Sequence, residues 1–225
     1  MRREAIKPQS YIDWLKSLGC VFYAPLIVDT IDIINNQNAT RNGNAGTFNA
    51  NGYNVSGGTT LSWANWFIKT VKYTQPLTVL LDYRLTTKGS VHRRLVFTTP
   101  RIGGSNEHGM IISWENGGGN NATFGFRNAS SVYSATTASA MTLNTSYVKN
   151  GFIYDGNGVI TAVKNGIITS TTRAITSSNF SSIPMTDNNF NLFGVPTYSS
   201  DRWSGSCKNA MMFNRALTQD EINAI

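Results

Sequence analysis

The amino-acid sequence predicts an all-β protein: an antiparallel two-sheet sandwich of the jelly-roll kind, with a short helix at the N-terminus and a helical turn at the C-terminus. Three observations carry this. Short runs rich in β-branched and aromatic residues recur about every 8–15 residues, the spacing of sandwiches and jelly rolls. Gly, Asn, Asp and Pro bound each run, and several boundaries can adopt the positive φ of tight hairpins. No long helices alternate with the strands, which excludes a parallel α/β sheet.

Taken in order, residues 1–19 form a helical arm. Tyr11, Ile12, Trp14, Leu15 and Leu18 make an apolar stripe at helical spacing. Ser10 is the expected N-cap with Asp13 three residues on, and Gly19 the expected stop. From Cys20 the pattern becomes extended: CVFYAPLIV, TFNANGYNV, WFIKTVKY, LTVLLDYRL, RRLVFTT, GMIISWE, ATFGFRN and SVYSAT. Further on, NGFIYDGNGVITAVKNGIITST reads as a three-stranded meander turning at Asp155–Gly158 and at Asn165-Gly166. NFNLFG and CKNAMMFN complete the strands, and no composition shift marks a linker, so residues 20–225 read as one domain. Asn35–Gly46, Pro100–His108, Asn116–Asn121 and Pro196–Ser204 read as loops, where a β scaffold presents its functional residues.

Composition narrows the function. Of 225 residues, 40% are hydrophobic but only 14% charged, against about a quarter in an average domain. The surface is therefore built from Asn, Ser, Thr and Gly. The net charge of +7 comes from 19 basic and 12 acidic residues, and the basic residues are scattered. Nucleic-acid binders concentrate theirs on one face, which argues against such a partner. No apolar run is long enough to span a membrane. The start lacks an apolar signal-peptide core, which sets the expectation of a cytoplasmic protein or of one reaching a virion or the cell exterior by a non-classical route. Cys20 and Cys207 lie in no CxxC pattern, so a zinc or redox site has no support.

The ending DRWSGSCKNAMMFNRALTQDEINAI resembles the last strand and terminal turn of laminin-G-like, concanavalin A-like jelly-roll domains. Gly205, Phe213, Asn214, Arg215, Ala216, Leu217, Thr218, Glu221 and Ile222 carry the likeness. YDGNGVITAVKNGIIT and the opening GCVFYAPLIVD resemble the paired strands and first strand of the same family. The resemblance implies the concanavalin A-like form of the jelly roll, in a family holding both lectins and glycoside hydrolases. Physics alone explains the ending: Thr218 and Glu221 can form a reciprocal capping box, with Leu217 and Ile222 pinning the turn.

A hydrolase needs two carboxylates about 5–10 Å apart. The glucanases of this fold carry an E-x-D-x-x-E cluster on one strand, and this sequence has none. Glu107 and Glu115 are the one acid pair suited to testing, so the expectation is a binding protein rather than an enzyme. His92 and His108 accompany no nucleophile motif. Calcium is the candidate cofactor, since many lectin-like jelly rolls hold it through loop oxygens; Asp29, Asp32 and Asp187 are the candidate ligands. Sugar recognition needs aromatic faces for the ring and amides or carboxylates for the hydroxyls. Tyr198 and Trp203 flank Asp201 and Arg202; Trp114 precedes Asn116 and Asn120; Asn106 adjoins Glu107. These nine are the candidate ligand-binding residues. Of Trp63 and Trp66, one is expected to face inward. The expected function is that of a non-catalytic glycan-binding module in an attachment protein of a phage virion, fibre or cell surface. The alternatives are a structural module, docked to other subunits through the N-terminal helix, and a divergent glycosidase.

Overall fold

The computed structural model describes residues 9–56, 58–64, 71–86, 93–97, 109–114, 122–127, 132–137, 146–181, 189–194 and 204–225. Two antiparallel sheets face each other. The larger, of eight strands, runs β15 (Ile167–Ala174), β14 (Val159–Lys164), β13 (Val148–Tyr154), β8 (Leu77–Leu85), β17 (Ser204–Phe213), β6 (Gly52–Ser56) and β5 (Thr47–Asn49), with β1 (Cys20–Pro25) also paired to β17. The second, of seven, runs β12 (Val132–Thr137), β11 (Ala122–Arg127), β10 (Gly109–Trp114), β9 (Arg93–Phe97), β16 (Asn189–Leu192), β7 (Thr59–Ala64) and β4 (Thr40–Gly43). A two-stranded ribbon, β2 (Ile31–Asp32) and β3 (Gln37–Asn38), lies apart. This is the all-β jelly-roll sandwich the strand spacing predicts.

Alternation builds the core. On β8, Leu77, Val79, Leu81, Tyr83 and Leu85 face the second sheet and are buried, while Leu80 faces away. Between the sheets Phe22 meets Trp63 edge-on at 5.3 Å and Phe190 at 4.7 Å. Trp63 is thus the inward tryptophan; Trp66 lies outside the described residues. Phe126, Phe152, Tyr154 and Phe180 fill the other end. Cys207 belongs to this core and Cys20 to the opposite face of the sheet, both as free buried thiols. Cys20 pairs with Phe213, six residues along β17 from Cys207, or about 20 Å at the rise of a strand, well beyond disulfide reach.

The outer face of the large sheet is covered at one end by two helices. α1 (Gln9–Ser17) buries Ile12 and Leu15, and α3 (Gln219–Ala224) buries Ile222, against Tyr23, Leu80, Met211 and Phe213. Between them in sequence, α2 (Ser177–Ser181) places Phe180 in the main core. α1 already includes Gln9 and Ser10, so Ser10 is not its cap; Asp13 instead accepts from Gln9 Nε2 at 2.9 Å, one turn earlier. Gly19 ends the helix at φ +78°, a left-handed value that favours glycine.

The C-terminal turn forms as predicted. Thr218 is extended, Glu221 N–H donates to its hydroxyl at 3.3 Å, and Thr218 N–H donates to Glu221 Oε2 at 2.8 Å. Arg215 pairs with the same carboxylate at 3.0 Å. Leu217 and Ile222 are buried, and Leu217 N–H donates to the buried Thr78 hydroxyl at 3.0 Å. The meander also forms, and Asn165-Gly166 makes its turn with φ of 52° and 77°.

Three sequence readings of strands and loops are corrected. TFNANGYNV is a hairpin, not one strand: β5 and β6 pair Asn49 with Gly52 across a two-residue loop. Asn51-Gly52 is what turns the chain, Gly52 adopting φ +99°. Asn35–Gly46 is not a plain loop but holds β3 and β4; β4 completes the edge of the second sheet by pairing Thr40–Gly43 with β7. An edge strand exposed to water has no need of apolar residues, so TRNG carries no strand signal. In WFIKTVKY, residues 71–73 are not strand and the rest lies outside the described residues.

Candidate functional site

Tyr198, Asp201, Arg202, Trp203, Asn116, Asn120, Asn106, Glu107, Glu115, His92, His108 and Asp187 all lie outside the described residues. Trp114 ends β10, opposite Ala122 and Arg93, and only its backbone is described. Asp29 and Asp32 are described, and they lead to a groove that the loop-based reading missed.

Asp32 is fully buried. Its Oδ1 accepts the amides of Tyr23 at 3.0 Å and Ile34 at 3.1 Å, while Asn35 Nδ2 donates to its Oδ2 and to Val21 O at 2.9 Å. Burial pushes its carboxyl above the ordinary range, against the pull of these donors. Asp29 makes a smaller Asx turn, its Oδ1 accepting Ile31 N–H at 3.0 Å. These bonds fold Asp29–Asn35 into a rigid turn. The carbonyl of Thr30 then accepts both the Trp63 indole at 2.7 Å and Ala39 N–H at 3.1 Å. A core tryptophan therefore fixes a surface loop. Among the described residues no three His, Cys, Asp or Glu side chains converge as a metal cluster.

The turn forms one wall of a groove of about 410 Å³. Val28, Asp29 and Thr30 line that side; Asn38 of β3, Arg41 of β4 and Ala39 between the two strands line the next; Phe48 of β5 closes it, and Tyr53 and Leu61 form the floor. Val28 is 52% exposed and Phe48 39% exposed, among the few large apolar side chains of the described residues that are open to water. Phe48 packs on its cross-strand partner Tyr53 with ring centroids 4.7 Å apart, and the Tyr53 hydroxyl accepts Gly46 N–H at 3.0 Å. The ring is thus held from behind with its other face free to bind. Around it stand a carboxylate, an amide and an exposed guanidinium, in reach of one small polar ligand. Asp29 is the one acid among these lining residues.

No family model matches the chain, and no curated protein matches it in sequence. Solved structures do match in fold. A mutant of Trypanosoma rangeli sialidase displaying trans-sialidase activity superposes with a TM-score of 0.63 at 14% identity, over 92% of this chain and 32% of that one. The binding domain of botulinum neurotoxin DC in complex with SialylT gives 0.69 at 13%, over 92% and 50%. A structure of botulinum neurotoxin type C, whose cell entry is dependent upon interaction with two ganglioside molecules, gives 0.64 at 12%, over 95% and 51%. The chain thus spans a third to a half of the chains it matches. The class defined by the fold is the antiparallel two-sheet β-sandwich. Among the described residues no helix is long and apolar enough to cross a membrane.

Proposed function

We propose that this chain is a non-catalytic carbohydrate-binding module, and that the Val28–Phe48 groove is its binding site. The observation that carries the reading is the exposed, back-supported Phe48 ring set beside Arg41, Asn38 and Asp29. An aromatic face takes the apolar side of a pyranose ring, while the charged and amide groups bond its hydroxyls. The likeness in fold to neurotoxin structures described with SialylT and gangliosides supports the same reading. Binding is favoured over hydrolysis because the groove offers one carboxylate where glycoside cleavage uses two. The finer affiliation we propose is laminin-G-like, on Gly205–Phe213 and the capped Thr218–Glu221 turn. The setting we propose is an attachment protein of a virion, fibre or cell surface, where a weak glycan contact is multiplied over copies.

The test is a glycan array probed with the full chain, with and without Ca²⁺, followed by titration of any hit. Phe48→Ala and Arg41→Gln are expected to weaken the hit about tenfold each. A blank array in both conditions, or variants that bind like the wild type, overturns the reading. Dependence on Ca²⁺ would bring Asp29 in as a ligand.

A further inference from the structure

A second groove lies on the outer face of the large sheet, away from the helices. Its volume is about 420 Å³, and Thr47, Asn54, Ser56, Thr86 and Ser204 line it with Gly46. Their hydroxyls and amide stand beside the apolar surface of Ala45 and Val55, and the groove continues into a row of different character. Ser206 pairs with Asn54 on one side and with Arg84 on the other, so Asn54, Ser206 and Arg84 stand in line across three strands. Arg84 of β8 and Thr86, one residue past the strand's end, stand two residues apart, about 7 Å along the extended chain.

Tyr147 completes the row. Its hydroxyl is tied to Ser206 and to the carbonyl of Asn51. Two cations meet its ring: Lys208 Nζ at 4.9 Å from the centroid and the Arg84 guanidinium at 5.9 Å. Neither makes an ion pair among the described residues. Asp82, two residues along β8 on the same face, accepts Asn209 Nδ2 at 2.7 Å. Arg84 Nε is buried with no hydrogen-bond partner, a state that calls for an explanation in a charged donor. Two like charges drawn to one immobilised ring, one with an unsatisfied donor, make a socket for an anion.

We propose that this face is a second binding site, which takes a saccharide bearing a sulfate or phosphate ester. The tetrahedral oxyanion sits between Arg84 and Lys208 at Tyr147, and the sugar hydroxyls lie along Thr86, Ser204, Ser56 and Asn54. A nucleic acid fits less well: two cations are too few for a phosphate track, and the groove offers hydroxyls where bases would need flat faces.

The experiment is calorimetric titration of the full chain, at low and at physiological salt, with four probes: a sulfated dextran oligosaccharide, a phosphorylated one, the unmodified oligosaccharide and a single-stranded oligonucleotide of similar charge. Binding of the sulfated or the phosphorylated probe, weakened by salt, is expected, and the tighter of the two names the ester. Arg84→Gln and Lys208→Gln should each weaken it about tenfold, with Lys208→Arg retaining most of the affinity. Phe48→Ala and Arg41→Gln should leave it unchanged, so failure of the first groove and failure of this one are separately visible. Because Arg84 is partly buried, the Lys208 pair decides the matter if Arg84→Gln lowers the melting temperature. The proposal is overturned if neither ester binds, if unmodified dextran or the oligonucleotide binds as well as they do, or if Lys208→Gln binds like the wild type.

Discussion

Replacing Asp32 with alanine tests whether the turn behind the first groove rests on one buried carboxylate. The change removes the acceptor of the buried Tyr23 amide and the part-buried Ile34 amide, and of the Asn35 side chain, which is exposed and can turn to water. Each amide left without a partner costs about 1–2 kcal/mol, so the loss is about 3 kcal/mol. For a chain of this size each kcal/mol moves the melting temperature by roughly 2–4 °C, so a fall of about 6–12 °C is expected. The pH dependence adds a sign. Burial, the largest influence, raises the folded-state pKa of Asp32 above the ordinary 3.8. Its stabilising contribution is therefore complete below the unfolded value and declines as pH rises through the raised folded value. The gap between wild type and Asp32→Ala should be widest in acid and narrow towards neutrality. Thermal unfolding followed by circular dichroism across that range measures both. A fall under about 2 °C in acid, or a gap that widens with pH, would refute the reasoning.

Three further predictions concern stability and thiol chemistry. Thr218→Ala breaks the capping box and should cost about 1 kcal/mol, seen as a 2–4 °C drop in melting temperature. Glu221 behaves opposite to Asp32: the Thr218 amide leads in holding its pKa below the ordinary 4.5, so its contribution is present above the unfolded value and lost as pH falls through the folded one. The difference between wild type and Glu221→Gln should accordingly close on acidification. Burial raises the Cys20 thiol to about 12 and that of Cys207 well above its ordinary value, so native protein at about pH 8 should resist iodoacetamide until denaturant exposes both cysteines. Rapid labelling of the native protein would contradict the packing described.

The fold was legible wherever local chemistry and burial agreed. LTVLLDYRL alternates because one of its faces meets a core, and the Asn165-Gly166 and Thr218–Glu221 turns use residues whose side chains or backbone freedom demand those geometries. β4 was not legible, because an exposed edge strand carries no apolar alternation. The groove was harder still. Phe48 sits in a run that reads as ordinary strand, and its exposure depends on the hairpin register that puts Tyr53 behind it. Arg41 reaches the groove only because β4 pairs with β7, setting it opposite Leu61, 20 residues away in sequence. The available signal was Asn51-Gly52, which marks the hairpin and hence the cross-strand pair. Asp29 and Asp32 were picked out for their oxygens, and it is their neighbours' amides that use them.

β17 has β8 along one edge, and β6 and β1 end to end along the other. The sheet's central seam is therefore filled by the strand made last. During synthesis every earlier piece of the large sheet must wait with two open edges, β8 on one side and the β1–β6 line on the other. Until Ser204–Phe213 leaves the ribosome these edges are templates for pairing with another chain. Folding of this sandwich thus waits on that strand, slow in the manner of non-local β pairings, and its yield should depend more on holding those edges apart than on the stability of the finished molecule.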